Sequence, residues 1–347
     1  MQELETGMRH GRSPAGADPN AFKATGKEDE AMELAKNTAL LIVGFIFLIK
    51  GADFFVEGAS GFARKFGISE LIIGLTIVAM GTSAPEAAVS ITGAISGNAD
   101  ISIGNVLGSN ILNVFLILGT AAAIIPIGVG NSTVKKEMPF LILITMLFIL
   151  LGLDGKISRI DAGIFLILLA VYLVYLYRSA VSGQAEEPGE SENEKQKKAL
   201  PIWQMLLFIV GGAIMIVLGS NFAVDGAKEI AALFGMSERL IGLTVIAIGT
   251  SLPELVTSVM AARKGNADIA IGNVVGSNLF NVLFIIGLTA MIRPMNFARN
   301  FITDGIVATV AAVLLWLLAR DDRKVGRRDG FVLLGAYAAY FIYIMFV

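Results

Sequence analysis

Gly81-Thr82-Ser83-Ala84-Pro85-Glu86 returns later in the chain as Gly249-Thr250-Ser251-Leu252-Pro253-Glu254. Behind the first copy come Gly97-Asn98-Ala99-Asp100 and Gly104-Asn105-Val106-Leu107-Gly108-Ser109-Asn110-Ile111-Leu112-Asn113. Behind the second come Gly265-Asn266-Ala267-Asp268 and Gly272-Asn273-Val274-Val275-Gly276-Ser277-Asn278-Leu279-Phe280-Asn281. Every match is displaced by 168 residues, so neither copy carries an insertion. Each sets a carboxylate, hydroxyls, carboxamides and a helix-breaking proline among apolar residues long enough to lie in lipid, where polar groups are costly and retained for function.

The surroundings fit a membrane. Of 347 residues 55% are hydrophobic and only 16% charged, with a mean hydropathy of +0.73, too little polar cover for a soluble surface. Apolar runs of about 20 residues recur after residue 37, and alternating strand patterns are absent, which predicts a helical bundle and not a barrel. There is no cysteine, and the single histidine is His10 in the polar N-terminal stretch. Disulfides and metal sites built on Cys or His are thereby excluded.

Ten spans are expected, at about 38–62, 69–95, 101–124, 138–153, 160–178, 202–231, 237–262, 269–291, 299–319 and 328–347. Residues 1–36 read as a disordered polar tail. Residues 37–179 read as a first five-helix repeat, 180–200 as a Glu- and Lys-rich solvated linker, and 201–347 as a second repeat. The repeat extends beyond the motifs. Gly51-Ala52-Asp53-Phe54 matches Gly219-Ser220-Asn221-Phe222, Pro126 matches Pro294, and Arg159 and Asp161 match Arg327 and Asp329. Five spans per half force the second to enter the membrane from the opposite side, an inverted-topology repeat.

Fifteen Lys and Arg fall in loops on the linker's side, among them Arg64, Lys135, Lys264 and Arg320. Six fall on the other: Lys156, Arg159, Lys228, Arg239, Arg293 and Arg299. The linker is therefore expected in the cytoplasm and both termini outside, in a multi-pass protein of the cell (plasma or inner) membrane.

Chemically, Pro85 cannot donate to the carbonyl of Gly81, and Gly81 itself favours a break. Carbonyls around Ala79 to Thr82 should be freed, and Gly249 and Pro253 should do the same for Ala247 to Thr250. Glu86 follows Thr82 by four residues and Ser83 by three, spacing that puts carboxylate and hydroxyls on one helix face. Carboxylate, carbonyl and hydroxyl oxygens make a ligand set for Ca²⁺ or Na⁺ and not for a soft metal. Gly104/Gly108 and Gly272/Gly276 permit close helix approach. Ser109 and Asn113, like Ser277 and Asn281, project together at midplane. Two inverted copies should bring Glu86 and Glu254 face to face with a formal charge of −2, which one Ca²⁺ neutralises and three Na⁺ would overcompensate.

The doubled GTSxPE and GNxxGSN stretches resemble the two alpha repeats of the sodium/calcium exchanger family, within the cation/calcium antiporters, over residues 38–347. The resemblance implies export of Ca²⁺ against Na⁺ by alternating access. It also implies calcium ligands at Glu86, Glu254 and the carbonyls of Thr82 and Thr250. Sodium ligands would be the carbonyls of Ala79 and Ala247, the side chains of Thr82, Ser83, Thr250, Ser251, Ser109 and Ser277, and both glutamates. Some members carry Asp where this chain has Asn281, including those that also move potassium. With amides at both Asn113 and Asn281, potassium-independent transport is expected.

Other readings stand beside these. Exchange of Ca²⁺ for protons is the alternative coupling, and a cation channel a more distant class. An enzyme is not expected, because Ser83 and Ser251 have no accompanying base. No cofactor is expected beyond the transported ions Ca²⁺ and Na⁺, no nucleic acid is implied, and the lipid bilayer is the expected surrounding, with nothing in the sequence pointing to a protein partner. Asn105, Asn110, Asn273 and Asn278 read as interhelical hydrogen-bonders, and Asp100 and Asp268 as helix caps. Lys50, Asp53 and Glu57 read as an ion-pair set along one helix, with Asp225 on an access path.

Overall fold

The computed structural model describes residues 19–181, 200–236 and 247–346. The first helix, α1 (Pro19–Phe66), begins well inside the stretch expected to be disordered. Residues 24–36 are rich in Ala, Glu and Lys, which favour helix, and they continue into an apolar span that has already met the cost of nucleation. Residues 1–18, most of the linker (182–199) and the start of the seventh expected span (237–246) lie outside the described residues.

After α1 come α2 (Glu70–Thr82) and α3 (Ala84–Ile95), bent by 50° at Ser83, then α4 (Ile101–Ile124). α5 (Met138–Gly152) follows a π-helical segment at Thr133–Glu137, and α6 (Arg159–Val181) closes the first half. The second half holds α7 (Ile202–Leu233), α8 (Ala247–Thr250), α9 (Leu252–Arg263), α10 (Ala267–Ile292), α11 (Arg299–Arg320) and α12 (Arg327–Phe346). Among the described residues, six helices are long and apolar enough to cross a bilayer: α1 from Ala31, α4, α6, α7, α10 and α11. The bent pair α2–α3 makes a seventh. This is an all-helical polytopic fold.

Two helices form the centre. The most apolar window of α10 is 94% buried and that of α4 is 72%, against 22% for α6 and α7. Both central helices pass into π-helical turns at equivalent places, Asn113–Leu118 and Asn281–Ile286, and such turns are frequent at functional sites.

Outside this centre, α1 and α7 run antiparallel in close contact along a glycine seam, Gly44, Gly51 and Gly58 facing Gly219, Gly212 and Met205. A Cβ at Gly219 would lie 2.7 Å from the Gly44 carbonyl oxygen and the Leu48 amide, so this seam tolerates no side chain. On the other central flank, a Cβ at Gly276 would lie 2.7 Å from Leu75 Cα, which bears out close approach of α10 to α2. The α2-equivalent stretch that would face Gly104 and Gly108 falls largely in residues 237–246, outside the described set.

The halves exchange contacts reciprocally at the chain's turns. Two short antiparallel ribbons join them, β1 (Ile127–Gly128) with β4 (Lys324–Val325) and β2 (Lys156–Ile157) with β3 (Met295–Asn296). Arg159 donates to the last carbonyls of α10, at Met291 (3.1 Å) and Ile292 (3.3 Å), while Arg327 donates to the Ile124 carbonyl of α4 (3.4 Å). The two ribbons, and the bonds of Arg159 to Ile292 and of Arg327 to Ile124, are interchanged when 168 is added to one partner and subtracted from the other.

Candidate ion-binding site

The repeated motif forms two broken helices. Ser83 sits between α2 and α3 with φ −80° and ψ 9°, and Ser251 between α8 and α9 with φ −92° and ψ 6°. Pro85 and Pro253 lie in the first turns of α3 and α9, where a missing N–H costs nothing. Glu86 and Glu254 occupy the same first turns, where the unpaired amides favour negative charge.

Both acids are only 1% exposed, and each is held by the other repeat. Ser83 Oγ donates to Glu254 Oε1 at 2.8 Å, and Ser251 Oγ donates to Glu86 Oε1 at 3.4 Å. This corrects the expectation that the serines share a face with their own glutamates. The turn at Ser83 and Ser251 swings each hydroxyl across the interface, which a continuous helix would not do. The Ser109 hydroxyl of α4 adds a contact to Glu86, and that of Thr82 to Glu254.

Beneath the acids lies a carboxamide cluster. Asn110 Nδ2 donates to the Asn278 carbonyl (3.2 Å) and Asn278 Nδ2 to the Asn110 carbonyl (3.1 Å). Asn113 Nδ2 donates to Asn278 Oδ1 (2.9 Å) and Asn281 Nδ2 to Asn110 Oδ1 (3.0 Å). Asn105 donates to the Glu86 carbonyl (3.2 Å) and Ser90 Oγ (3.0 Å), and Asn273 to the Glu254 carbonyl (3.4 Å) and Ser258 Oγ (2.9 Å). The four asparagines expected to be interhelical bonders are therefore that, and two of them pin the glutamate-bearing turns.

Among the described residues eight buried side-chain oxygens have no partner, and four of them belong to the repeated motifs: Oε2 of Glu86, Oε2 of Glu254, Oδ1 of Asn113 and Oδ1 of Asn281. They come from equivalent positions of the two repeats. Buried acceptors left this way cost about 1–3 kcal/mol each, more when charged, unless something positive meets them. All four are hard oxygen acceptors, suited to Ca²⁺ or Na⁺.

Elsewhere the structure departs from the expectations. The Ala79 carbonyl is not freed: it accepts the Ser83 amide (3.0 Å), and the hydroxyls of Thr82 (3.3 Å) and Ser277 (3.5 Å) point at it. In the second copy the Ser251 amide reaches the Ile248 carbonyl at 3.1 Å. The Gly249 carbonyl that Pro253 frees accepts Ser220 Oγ at 2.9 Å, a bond whose first-half equivalent is removed by Ala52. Thr250 is engaged within the fold. Gly81 is not the hinge. It lies within α2, and a Cβ there would sit 2.8 Å from Phe55 Cζ, so it admits the Phe55 ring.

The flanking acids also differ. Asp100 makes no side-chain cap and instead accepts from the amide (2.8 Å) and side chain (3.1 Å) of Asn296. Asn266, and not Asp268, holds the cap position of α10. Asp53 pairs with Lys264 at 2.7 Å, and Glu57 with the same lysine at 3.6 Å, in place of Lys50 on their own helix.

Comparison with known proteins decides the family. The family model described as "Sodium/calcium exchanger protein" matches residues 36–178 and again 203–346, once per repeat. The chain belongs to the sodium/calcium exchanger family, in its prokaryotic type. It is 42% identical to "Putative antiporter CaxA" of Alkalimonas amylolytica over 87% of this chain and 97% of that protein. It is 32% identical to "Sodium/calcium exchanger MaX1" of Methanosarcina acetivorans over 90% and 99%. Among solved structures it resembles the sodium-calcium exchanger NCX_Mj soaked with zero Na⁺ and Ca²⁺. There the TM-score is 0.77 at 31% identity, over 89% of this chain and 98% of that one. Membership makes this a membrane-embedded cation antiporter.

Proposed function

We propose that the chain exports Ca²⁺ in exchange for Na⁺ by alternating access, with both ions competing for the pocket between Glu86 and Glu254. The observation that carries this is the set of four unpartnered, buried oxygens from Glu86, Glu254, Asn113 and Asn281, two carboxylates and two amides drawn symmetrically from the repeats. Two adjacent buried acids repel, so a cation of charge two suits the pocket best. The remaining sodium and calcium ligands are Thr82, Ser83, Ser109, Thr250, Ser251, Ser277 and the backbone of Ala79 and Ala247, the ion at Ala79 taking the place of the Thr82 (3.3 Å) and Ser277 (3.5 Å) hydroxyls on that carbonyl. Sodium in place of protons is the reading because Asn113 and Asn281 are amides, which leaves the two glutamates as the titratable groups of the pocket. Replacement of one Ca²⁺ by three Na⁺ would move net charge, so transport should respond to membrane potential.

The architecture proposed with this function is ten spans in two inverted five-helix repeats, 37–179 and 201–347, joined by a cytoplasmic linker, with both termini outside in the cell membrane. The reciprocal bonds Ser83–Glu254 and Ser251–Glu86, interchanged by the 168-residue offset, support the two-fold relation, and the excess of Lys and Arg on the linker's side supports the orientation.

Everted vesicles loaded with sodium should take up radioactive calcium on dilution into sodium-free buffer, and uptake should be indifferent to potassium. Uptake driven by a pH gradient and untouched by sodium would overturn the sodium coupling.

A further inference from the structure

The two halves differ sharply at the place where α1 and α7 meet the ends of the half-helices. On the first-half side, Lys264 at the end of α9 donates to the Asp53 carboxylate (2.7 Å) and to the Asp53 carbonyl (2.7 Å), with Glu57 at 3.6 Å. Beside it Asn266 donates to Ser60 Oγ, so residues 53, 57 and 60 of one α1 face are stitched to the tip of α9. The positions 168 residues away are Asn221, Asp225 and Lys228 on α7, and Ser96 and Asn98 just beyond α3. Among the described residues, none of these five side chains makes a hydrogen bond or an ion pair.

The sequence explains why. Ser96 replaces the lysine, so no cation reaches from the α3 tip to α7. Lys228 and Asp225 both stand on α7 itself.

We propose that Lys264, with Asp53, Glu57, Ser60 and Asn266, is a latch that closes the cytoplasmic approach to the ion pocket, and that its absence from the other half biases the resting protein toward outward access. The proposal rests on the alternating-access and orientation readings above. Lys264 lies ten residues beyond Glu254, about 15 Å along the helix at 1.5 Å per residue, and so stands between the pocket and the cytoplasmic surface. It also caps the C-terminal end of α9, where the helix dipole favours a cation. Its side chain is 22% exposed and that of Asp53 is 32%, so water only partly screens the pair.

The absence of cysteine makes the test direct, because one introduced thiol reports alone. Ala261, fully buried three residues before Lys264, lies on the latch face of α9, and Asp225 on the unlatched face of α7. With Ala261→Cys, a membrane-impermeant maleimide at the cytoplasmic face should label slowly. Adding Lys264→Met should speed labelling about fivefold, and Lys264→Arg should not. With Asp225→Cys, Lys264→Met should slow labelling from outside, whereas general loosening would speed labelling at both positions. Asp53→Asn serves if the lysine variant does not fold. Unchanged rates at both thiols overturn the latch. Labelling in which the two sides are exchanged, with the Lys264 effect retained, overturns the orientation and leaves the latch standing.

Discussion

Replacing Glu86 by Gln preserves the side chain's shape and the acceptor that meets Ser251 Oγ at 3.4 Å, while removing one of the pocket's two negative charges. The free Oε2 becomes either an amide N–H₂ pointing into the pocket or a weaker, uncharged acceptor. Removing one charged partner from a desolvated ionic arrangement costs about 3–5 kcal/mol, roughly two to three and a half decades of affinity. The protein itself should lose little stability, since without a cation the two acids repel. The assay is radioactive calcium uptake by sodium-loaded everted vesicles, with thermal unfolding of the purified protein alongside. Calcium flux should fall more than about a hundredfold at unchanged melting temperature, and Glu254→Gln should behave the same way. Retention of more than about a tenth of the flux by either variant would refute the shared-pocket reasoning. A steep fall in melting temperature would refute it differently, by making the acid structural.

Three further outcomes follow from the geometry. Ser83→Ala removes the 2.8 Å donor to Glu254 and should weaken transport about tenfold, while Ser251→Ala, which loses a 3.4 Å contact, should cost less, both read as initial uptake rates. Asn278→Ala strips partners from Asn113 Nδ2 and the Asn110 carbonyl and should lower stability by about 1–3 kcal/mol, seen as an earlier thermal transition. Gly51→Ala places a methyl 2.8–2.9 Å from Met215 Cβ and the Gly212 carbonyl, and should cost about 1–3 kcal/mol through strain where α1 meets α7, measured the same way.

Much of this molecule is readable without coordinates because its halves are copies. The repeated Pro-Glu pair announces a broken helix carrying a buried acid, and the 168-residue offset announces two of them. Asn110 and Asn278 read as interhelical bonders because an amide in an apolar helix needs a partner. What the sequence hides is which copy each side chain serves. Spacing reports neighbours along one helix, so Ser83 reads as a partner of Glu86. The turn at Ser83 hands its hydroxyl to Glu254, a partner 171 residues away. The same blindness assigns Asp53 and Glu57 to Lys50 on their own helix, when Lys264 reaches them from a distant one. Gly81 reads as a hinge because glycine permits one, whereas the ring of Phe55 is what requires it. The N-terminal stretch reads as disordered from its charges, although Ala, Glu and Lys joined to a membrane helix extend it at little cost.

Equilibrium binding of radioactive calcium to the purified protein tests the central claim most directly. One calcium per chain, released by sodium but not by potassium and lost in both Glu86→Gln and Glu254→Gln, is the result expected. Saturable calcium binding that survives either substitution, or that sodium leaves untouched, would contradict a single pocket shared by the two acids.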